Sequence, residues 1–216
     1  MHIKSVEFAG AIGQIGQAQP ESVAGLRQLA FAGRSNVGKS SLINRVLGRT
    51  RTPIARVSQQ PGKTQEINFY HVRTDLGEFC LVDLPGYGYA KVPKELRDRW
   101  RPLISGFLSD NPALAGVVQL IDMRHGPTED DERAIAYLSE VGVGVLFALT
   151  KSDKLKPSLR QKAYQDIVSS LAADPDQVIA VSALSGDGIE TLLDSLGAVI
   201  AAESEDERGV AEGAAS

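Results

Sequence analysis

The stretch from Phe31 to Gly48 reads FAGRSNVGKSSLINRVLG, and it limits what the chain can fold into. It matches G-x-x-x-x-G-K-[ST], a pattern that works only between a strand and a helix. The apolar run RQLAFAG precedes it and reads as a buried strand. Ser41 to Leu47 has helical spacing, and Gly48 is a stop signal. In that setting the loop Gly33, Arg34, Ser35, Asn36, Val37 and Gly38 turns its backbone N–H groups inward, toward phosphate oxygens. The helix N-terminus adds a favourable dipole. Lys39 would supply a point charge to the β and γ phosphates, and Ser40 a hydroxyl to magnesium.

The rest of the chain supplies the expected sheet. EINFYHVRT and EFCLVDL are joined only by a short turn around Asp75–Gly77, so they must be antiparallel. AGVVQLID, VGVLFALT and QVIAVSA are apolar throughout and alternate with helical patterns near Val92–Leu108, Glu129–Val141, Pro157–Ala172 and Gly188–Ala202. The expected fold is an α/β P-loop sandwich, a mostly parallel sheet with one antiparallel edge strand and helices on both faces. A short strand at Ile3–Phe8 is expected to join it. In the Val92 helix, Leu96, Trp100, Ile104 and Phe107 form one stripe, which makes Trp100 a core residue. At 216 residues the chain reads as one domain over 1–202, followed by an acidic tail, 203–216, expected to be disordered. The loop from Arg49 to Lys63 is polar and holds Pro53, Pro61 and Gly62, the profile of a functional or disordered loop.

Several classes are set aside. No apolar run is long enough for a membrane span, and MHIKSVEFAG has no leader pattern. The lone cysteine, Cys80, sits in an apolar run and reads as a small core hydrophobe in a cytoplasmic protein. Net charge is −4, yet Arg27 to Gln65 holds eight basic residues and no acidic one. That half is suited to facing phosphates, unless it is simply a solvated basic face. His71 lies in a strand and is expected to be packed; the role of His125 is open. Three histidines and one cysteine, scattered, make no transition-metal site.

Three later motifs narrow the nucleotide. Asp83-Leu84-Pro85-Gly86 ends an apolar strand, where Asp83 can hold magnesium through water and the Gly86 N–H can meet the γ phosphate. Thr150-Lys151-Ser152-Asp153 follows another buried strand. There Asp153 can accept from guanine N1–H and its N2 amino group, and the Lys151 stem can cover the ring. Val181-Ser182-Ala183 follows the last strand, placing the Ala183 N–H to donate to guanine O6. Adenine offers neither those donors nor that acceptor, and a site built on such bonds rejects the wrong partner by about 10⁴–10⁵.

These motifs, with GRSNVGKSSLIN, QQPGKTQEINFY, LVDLPGYGYA, IDMRHGPTEDDE and LTKSDKL, make the chain similar to the EngB (YihA/YsxC) family of bacterial GTPases. The match runs from about Lys4 to Ala201. DLPGYGYA and RHGPT carry it, because neither is a general GTPase feature. The resemblance implies a GTPase with a magnesium ion and a partner in the large ribosomal subunit or its precursor; a cytoplasmic monomer is expected, with slow intrinsic hydrolysis because Tyr87 stands where a water-orienting glutamine would. It also implies that Thr64 is the switch threonine reaching magnesium in the GTP state. Gly62, Lys63, Gln65 and Glu66 would lie near the nucleotide, and Lys39, Thr64 and Gly86 would carry catalysis.

Two departures from general GTPases matter. Thr150 replaces the asparagine of N-K-x-D, and its hydroxyl can tie the base loop to the P-loop only in part. Tyr87 follows Gly86, where Ras-type proteins carry the glutamine that orients water. Asn36 has two readings: it tolerates tight loop geometry, or, as in the potassium-activated GTPases the loop resembles, it is a ligand of K⁺. Two functions rival the switch GTPase. One is a nucleotide sensor with negligible hydrolysis. The other is a P-loop small-molecule kinase, against which Asp153 and Ala183 weigh.

Overall fold

A computed structural model describes residues 1–55, 66–87 and 94–213, with side chains described up to 202 except at 94–101. In chain order the strands are β1 (Ile3–Ile12), β2 (Gln28–Gly33), β3 (Ile67–Thr74), β4 (Glu78–Asp83), β5 (Leu114–Asp122), β6 (Val145–Thr150) and β7 (Val178–Ala180). The helices are α1 (Lys39–Val46), α2 (Lys94–Ser109), α3 (Glu129–Glu140), α4 (Pro157–Leu171) and α5 (Ile189–Gly213). The strands form one sheet in the order β1-β3-β4-β2-β5-β6-β7. β2, β4, β5, β6 and β7 are mutually parallel, and only β3 runs against its neighbours.

The sheet is mostly parallel and helix-covered, as expected. The antiparallel strand lies one place in from the edge, because β1 extends to Ile12 and pairs along all of β3. The sequence pattern suggested a strand only to Phe8 because β1 carries two register shifts, between Ile3 and Ser5 and between Phe8 and Gly10. Each bulge inserts one residue and turns the following side chains to the other face. Val6 and Ile12 would share a face in a regular strand, yet they belong to different cores.

Strict alternation divides the apolar residues between two faces. In β2, Leu29 and Phe31 point to one side and the small Ala30 and Ala32 to the other. The first side is closed by Leu42, Ile43 and Val46 of α1 and by Leu192, Leu196 and Ile200 of α5. The second is closed by Leu103, Phe107 and Leu108 of α2 and by Leu138 of α3; the Phe107 ring meets Phe69 edge-on at 6.0 Å. A third cluster packs Ile167 of α4 on Ile121, Phe147 and Leu149. Cys80 is fully buried on the second side, and burial pushes its thiol up to about 12, as befits a core residue. His71 is mostly covered and meets the Glu78 carboxylate at 2.5 Å. Trp100 lies outside the described side chains.

α5 continues through the segment expected to be a disordered tail, with helical backbone to Gly213. The acidic composition suggested disorder, but AAESEDER is rich in alanine and glutamate, which are strong helix formers. No helix among the described residues is long and apolar enough to cross a membrane.

This topology places the C-terminal ends of the six strands other than β3 on one edge. Because β3 is reversed, it starts at that edge, with Asn68 opposite Asp83. In open α/β sheets, ligands bind there.

Candidate functional site

The loop from Arg34 to Gly38 joins β2 to α1. Gly33 has ordinary backbone angles and is needed for space: a Cβ there would lie 3.0 Å from both Leu120 Cβ and Val37 Cγ1. Gly38 is needed for conformation, with φ of 105° at the helix N-cap. Asn36 also has positive φ, 62°, a geometry asparagine tolerates better than most residues. No side chain caps α1, so its first N–H groups face the loop without the usual side-chain acceptor.

The P-loop is stitched to the segment after β4. The Ser35 N–H donates to the Tyr87 carbonyl at 2.9 Å, and Gly86 lies against Ser35. Ser35 Oγ is buried and has no hydrogen-bond partner among the described residues. Lys39 and Asp83, 8% and 3% exposed, form an ion pair at the ends of α1 and β4. An isolated buried ion is costly, so each side chain needs a countercharge wherever it points. Ser40 and Asp83 together offer hydroxyl and carboxylate oxygens, the hard donors that suit Mg²⁺, and an uncapped helix start with an orphaned Ser35 hydroxyl suits a polyphosphate. Gly62, Lys63, Thr64 and Gln65 lie outside the described residues. Glu66 opens onto the same edge but is exposed, and its Cγ would be 3.3 Å from a Cβ on Gly13.

Beyond the P-loop a cavity of about 480 Å³ is lined by Asn44, Thr150, Lys151, Asp153, Ala183 and Leu184, among others. Ser182 Oγ donates to Asp153 Oδ1 at 2.7 Å and accepts from the Leu184 and Ser185 N–H groups. One Asp153 oxygen is thereby fixed and the carboxylate is aimed. Thr150 does more than expected: its hydroxyl reaches the Val37 carbonyl at 2.7 Å and the Ile121 carbonyl at 3.2 Å, so the base loop and the P-loop are tied. Lys151 has φ of 61°, and its ammonium donates to the Asn36 carbonyl at 2.6 Å.

Tyr87 is tied back into the body of the protein. Its hydroxyl donates to Asp131 Oδ1 at 2.8 Å and accepts from Gln119 Nε2. Burial, then the Asp131 carboxylate, push its phenol far above the usual tyrosine range. The other Asp131 oxygen accepts from the Thr128 N–H and hydroxyl, part of a capping box that opens α3. This joins DLPGYGYA to RHGPTEDD, a link that no periodicity could have shown. His125 is exposed.

Two further residues escaped the sequence reading. Asn44, on α1, binds the Ile54 and Ala55 N–H groups and the Ala55 carbonyl, pinning the start of the long loop. Asp122 ends β5 on the functional edge; its position at the end of a parallel strand was the available signal. The basic stretch is partly committed: Lys39 is paired, Arg45 donates to the Ser185 carbonyl and Arg49 to the Val6 carbonyl, while Arg51 is exposed.

Comparison with known proteins agrees with this geometry. Residues 28–151, more than half of the chain, match the family described as 50S ribosome-binding GTPase, and residues 111–202 match the elongation factor Tu GTP binding domain. The chain is 45% identical to a probable GTP-binding protein EngB of Gemmatimonas aurantiaca over 91% of this chain and 93% of that one. It is 46% identical to one from Alkaliphilus metalliredigens, over 80% and 81%. The crystal structure of a probable GTP-binding protein EngB superposes with a TM-score of 0.64 at 28% identity, covering 80% of this chain and 98% of that one. Aquifex aeolicus Era shares the fold, with a TM-score of 0.66 at 22% identity over 79% of this chain and 55% of that one. On fold, site and kinship together, the chain belongs to the EngB family, a family of P-loop GTPases.

Proposed function

We propose that the protein is a GTP/GDP switch that hydrolyses GTP slowly and acts in the cytoplasm, as a monomer, on the large ribosomal subunit or its precursor. One observation carries the nucleotide reading: the uncapped start of α1 and the Ser182-aimed Asp153 open onto the same sheet edge, bound together by Thr150. Residues 33–40 cradle the phosphates, with Lys39 moving from Asp83 to the β and γ oxygens. Asp153 and the Ala183 N–H read guanine. Ser40 and Asp83, with Thr64, hold Mg²⁺, which when bound offsets the negative charge of the phosphates. Gly62, Lys63, Gln65 and Glu66 lie near the nucleotide, and Gly86 meets the γ phosphate.

Slow hydrolysis follows from Tyr87. Its phenol is engaged with Asp131 and Gln119, so it does not take the water-orienting role of a glutamine. We assign K⁺ to the exposed Asn36 side chain as a rate-raising ion. The positive φ explains the asparagine without any ion, so the test is direct: potassium should accelerate hydrolysis over sodium at equal ionic strength, and Asn36→Ala should erase the difference. The ribosomal partner rests on the family description and on the basic stretch.

Titration of the intact protein with GTP, GDP and ATP tests the core of this reading. Binding of both guanine nucleotides in the micromolar range or better, with ATP at least 10⁴-fold weaker, is expected. ATP preference would favour the kinase reading, and phosphate release with 50S particles separates a GTPase from a sensor.

A further inference from the structure

Asp122 is the last residue of β5, paired with Thr150 across the sheet and 1% exposed. Its carboxylate is fully engaged. Oδ1 accepts from the Arg124 N–H at 3.1 Å and Nε at 2.9 Å; Oδ2 accepts from Arg124 Nη2 at 2.7 Å and from Lys151 Nζ at 3.0 Å. The Arg124 fork fixes the carboxylate plane without help from Lys151, because backbone N–H and guanidinium come from one residue two positions away. Asp122 therefore offers Lys151 a rigid acceptor.

Lys151 needs one. Its backbone is held at positive φ, and its ammonium has two anchors on two different elements, Asn36 of the P-loop and Asp122 at the end of β5. The four-carbon stem runs from the base loop to this doubly held ammonium along the rim of the cavity, with Cε 3.8 Å from where a Gly38 Cβ would lie. A lysine held by one carbonyl alone retains much of its rotamer freedom. It would also be a second mobile cation beside Lys39 at the phosphates. With Asp122 present, the stem is a fixed apolar surface and the charge is kept at the rim.

We propose that Asp122 is a positioning residue of the base pocket: through Lys151 it holds the surface on which the purine ring lies. This rests on the reading of that pocket as the guanine site. It differs from recognition by Asp153, because a stem packed on the ring face is indifferent to the purine's exocyclic groups.

The intact protein is titrated with GDP and IDP, and inorganic tripolyphosphate serves as competitor. Asp122→Asn should weaken GDP and IDP by the same factor, about 5- to 20-fold, and leave tripolyphosphate within about twofold. Lys151→Met keeps the stem and removes the charge; in that background Asp122→Asn should add no more than about twofold, because the pair acts as a unit. Arg124 is exposed, so Arg124→Gln spares the core. It should weaken GDP and IDP by about two- to fivefold and not tripolyphosphate.

A folded Asp122→Asn protein with unchanged GDP affinity overturns the proposal. So does an equal loss on tripolyphosphate, which marks a merely structural residue, or full additivity with Lys151→Met. If Asp122→Asn does not fold, the Arg124→Gln arm decides, and unchanged GDP affinity there overturns it. A wild-type protein that binds no GDP would instead remove the guanine site itself.

Discussion

Asp153 presents Oδ1 to Ser182, and its Oδ2, 3.7 Å from the half-exposed Lys154 ammonium, faces the cavity side where a ligand would compete for it. Asp153→Asn should weaken GTP by about 10- to 100-fold, the worth of a hydrogen bond to a charged group. Xanthosine triphosphate should gain in the same titration, since its oxo group faces the new amide donor. Unchanged GTP affinity would remove Asp153 from the base. Tyr87 makes a different claim. Tyr87→Phe deletes a donor to a carboxylate with no exposed surface, so urea unfolding should show a loss of about 1–3 kcal/mol. The legible part of the site consisted of backbone-directed motifs: Gly33 to Ser40, Asp83 to Gly86, and Thr150 to Asp153 each follow an apolar strand. Asp122, Asn44 and the Tyr87–Asp131 pair were not legible. Lone polar residues show no period, and the partners that give them their roles, Lys151 for Asp122 and Asp131 for Tyr87, are 29 and 44 positions away. Thr150 was undervalued because a hydroxyl has one proton, and its reach to two carbonyls depends on how closely β5 and the P-loop approach.

At the level of elements, α1 does two tasks at once. Leu42, Ile43 and Val46 bind it to the sheet, and Asn44 holds Ile54 and Ala55. Asn44→Ala removes three hydrogen bonds, so the amides of Ile54 and Ala55 should lose hydrogen-exchange protection while those of β2 and β5 keep theirs. Equal loss everywhere would mean that Asn44 supports the whole fold instead. α5 is anchored by its first three turns. Leu196 is 1% exposed in the cluster that holds α1 and α5 on the sheet, and Leu196→Ala should cost about 2–5 kcal/mol in thermal or urea unfolding. Strand–helix alternation was readable because parallel strands buried on both faces are apolar throughout. β1 was shortened in that reading because two bulges break its alternation, and α5 because acidity conceals helix propensity when composition is weighed alone.

For the molecule as a whole, charge governs encounters. Arg51 is exposed at the start of the long loop, whereas Arg49 is tied to β1. Arg51→Glu should therefore weaken co-sedimentation with 50S particles and leave GTP binding intact, while Arg49→Glu would also disturb the fold. Affinity for the particle should fall linearly on log–log axes with salt, with slope of about −0.7 to −0.9 per phosphate contact. A salt-independent association would argue for protein contacts in place of RNA. The sheet also has to end somewhere. Its terminal strand has ten residues against the eight of β3, and the two in excess are the bulged ones. One of them is near Lys4, which is exposed. A twisted, charged rim of this kind is a poor template for a further strand from another chain. The two irregularities that obscure β1 in the sequence thus give this edge a feature that disfavours edge-to-edge pairing with a second copy of the chain.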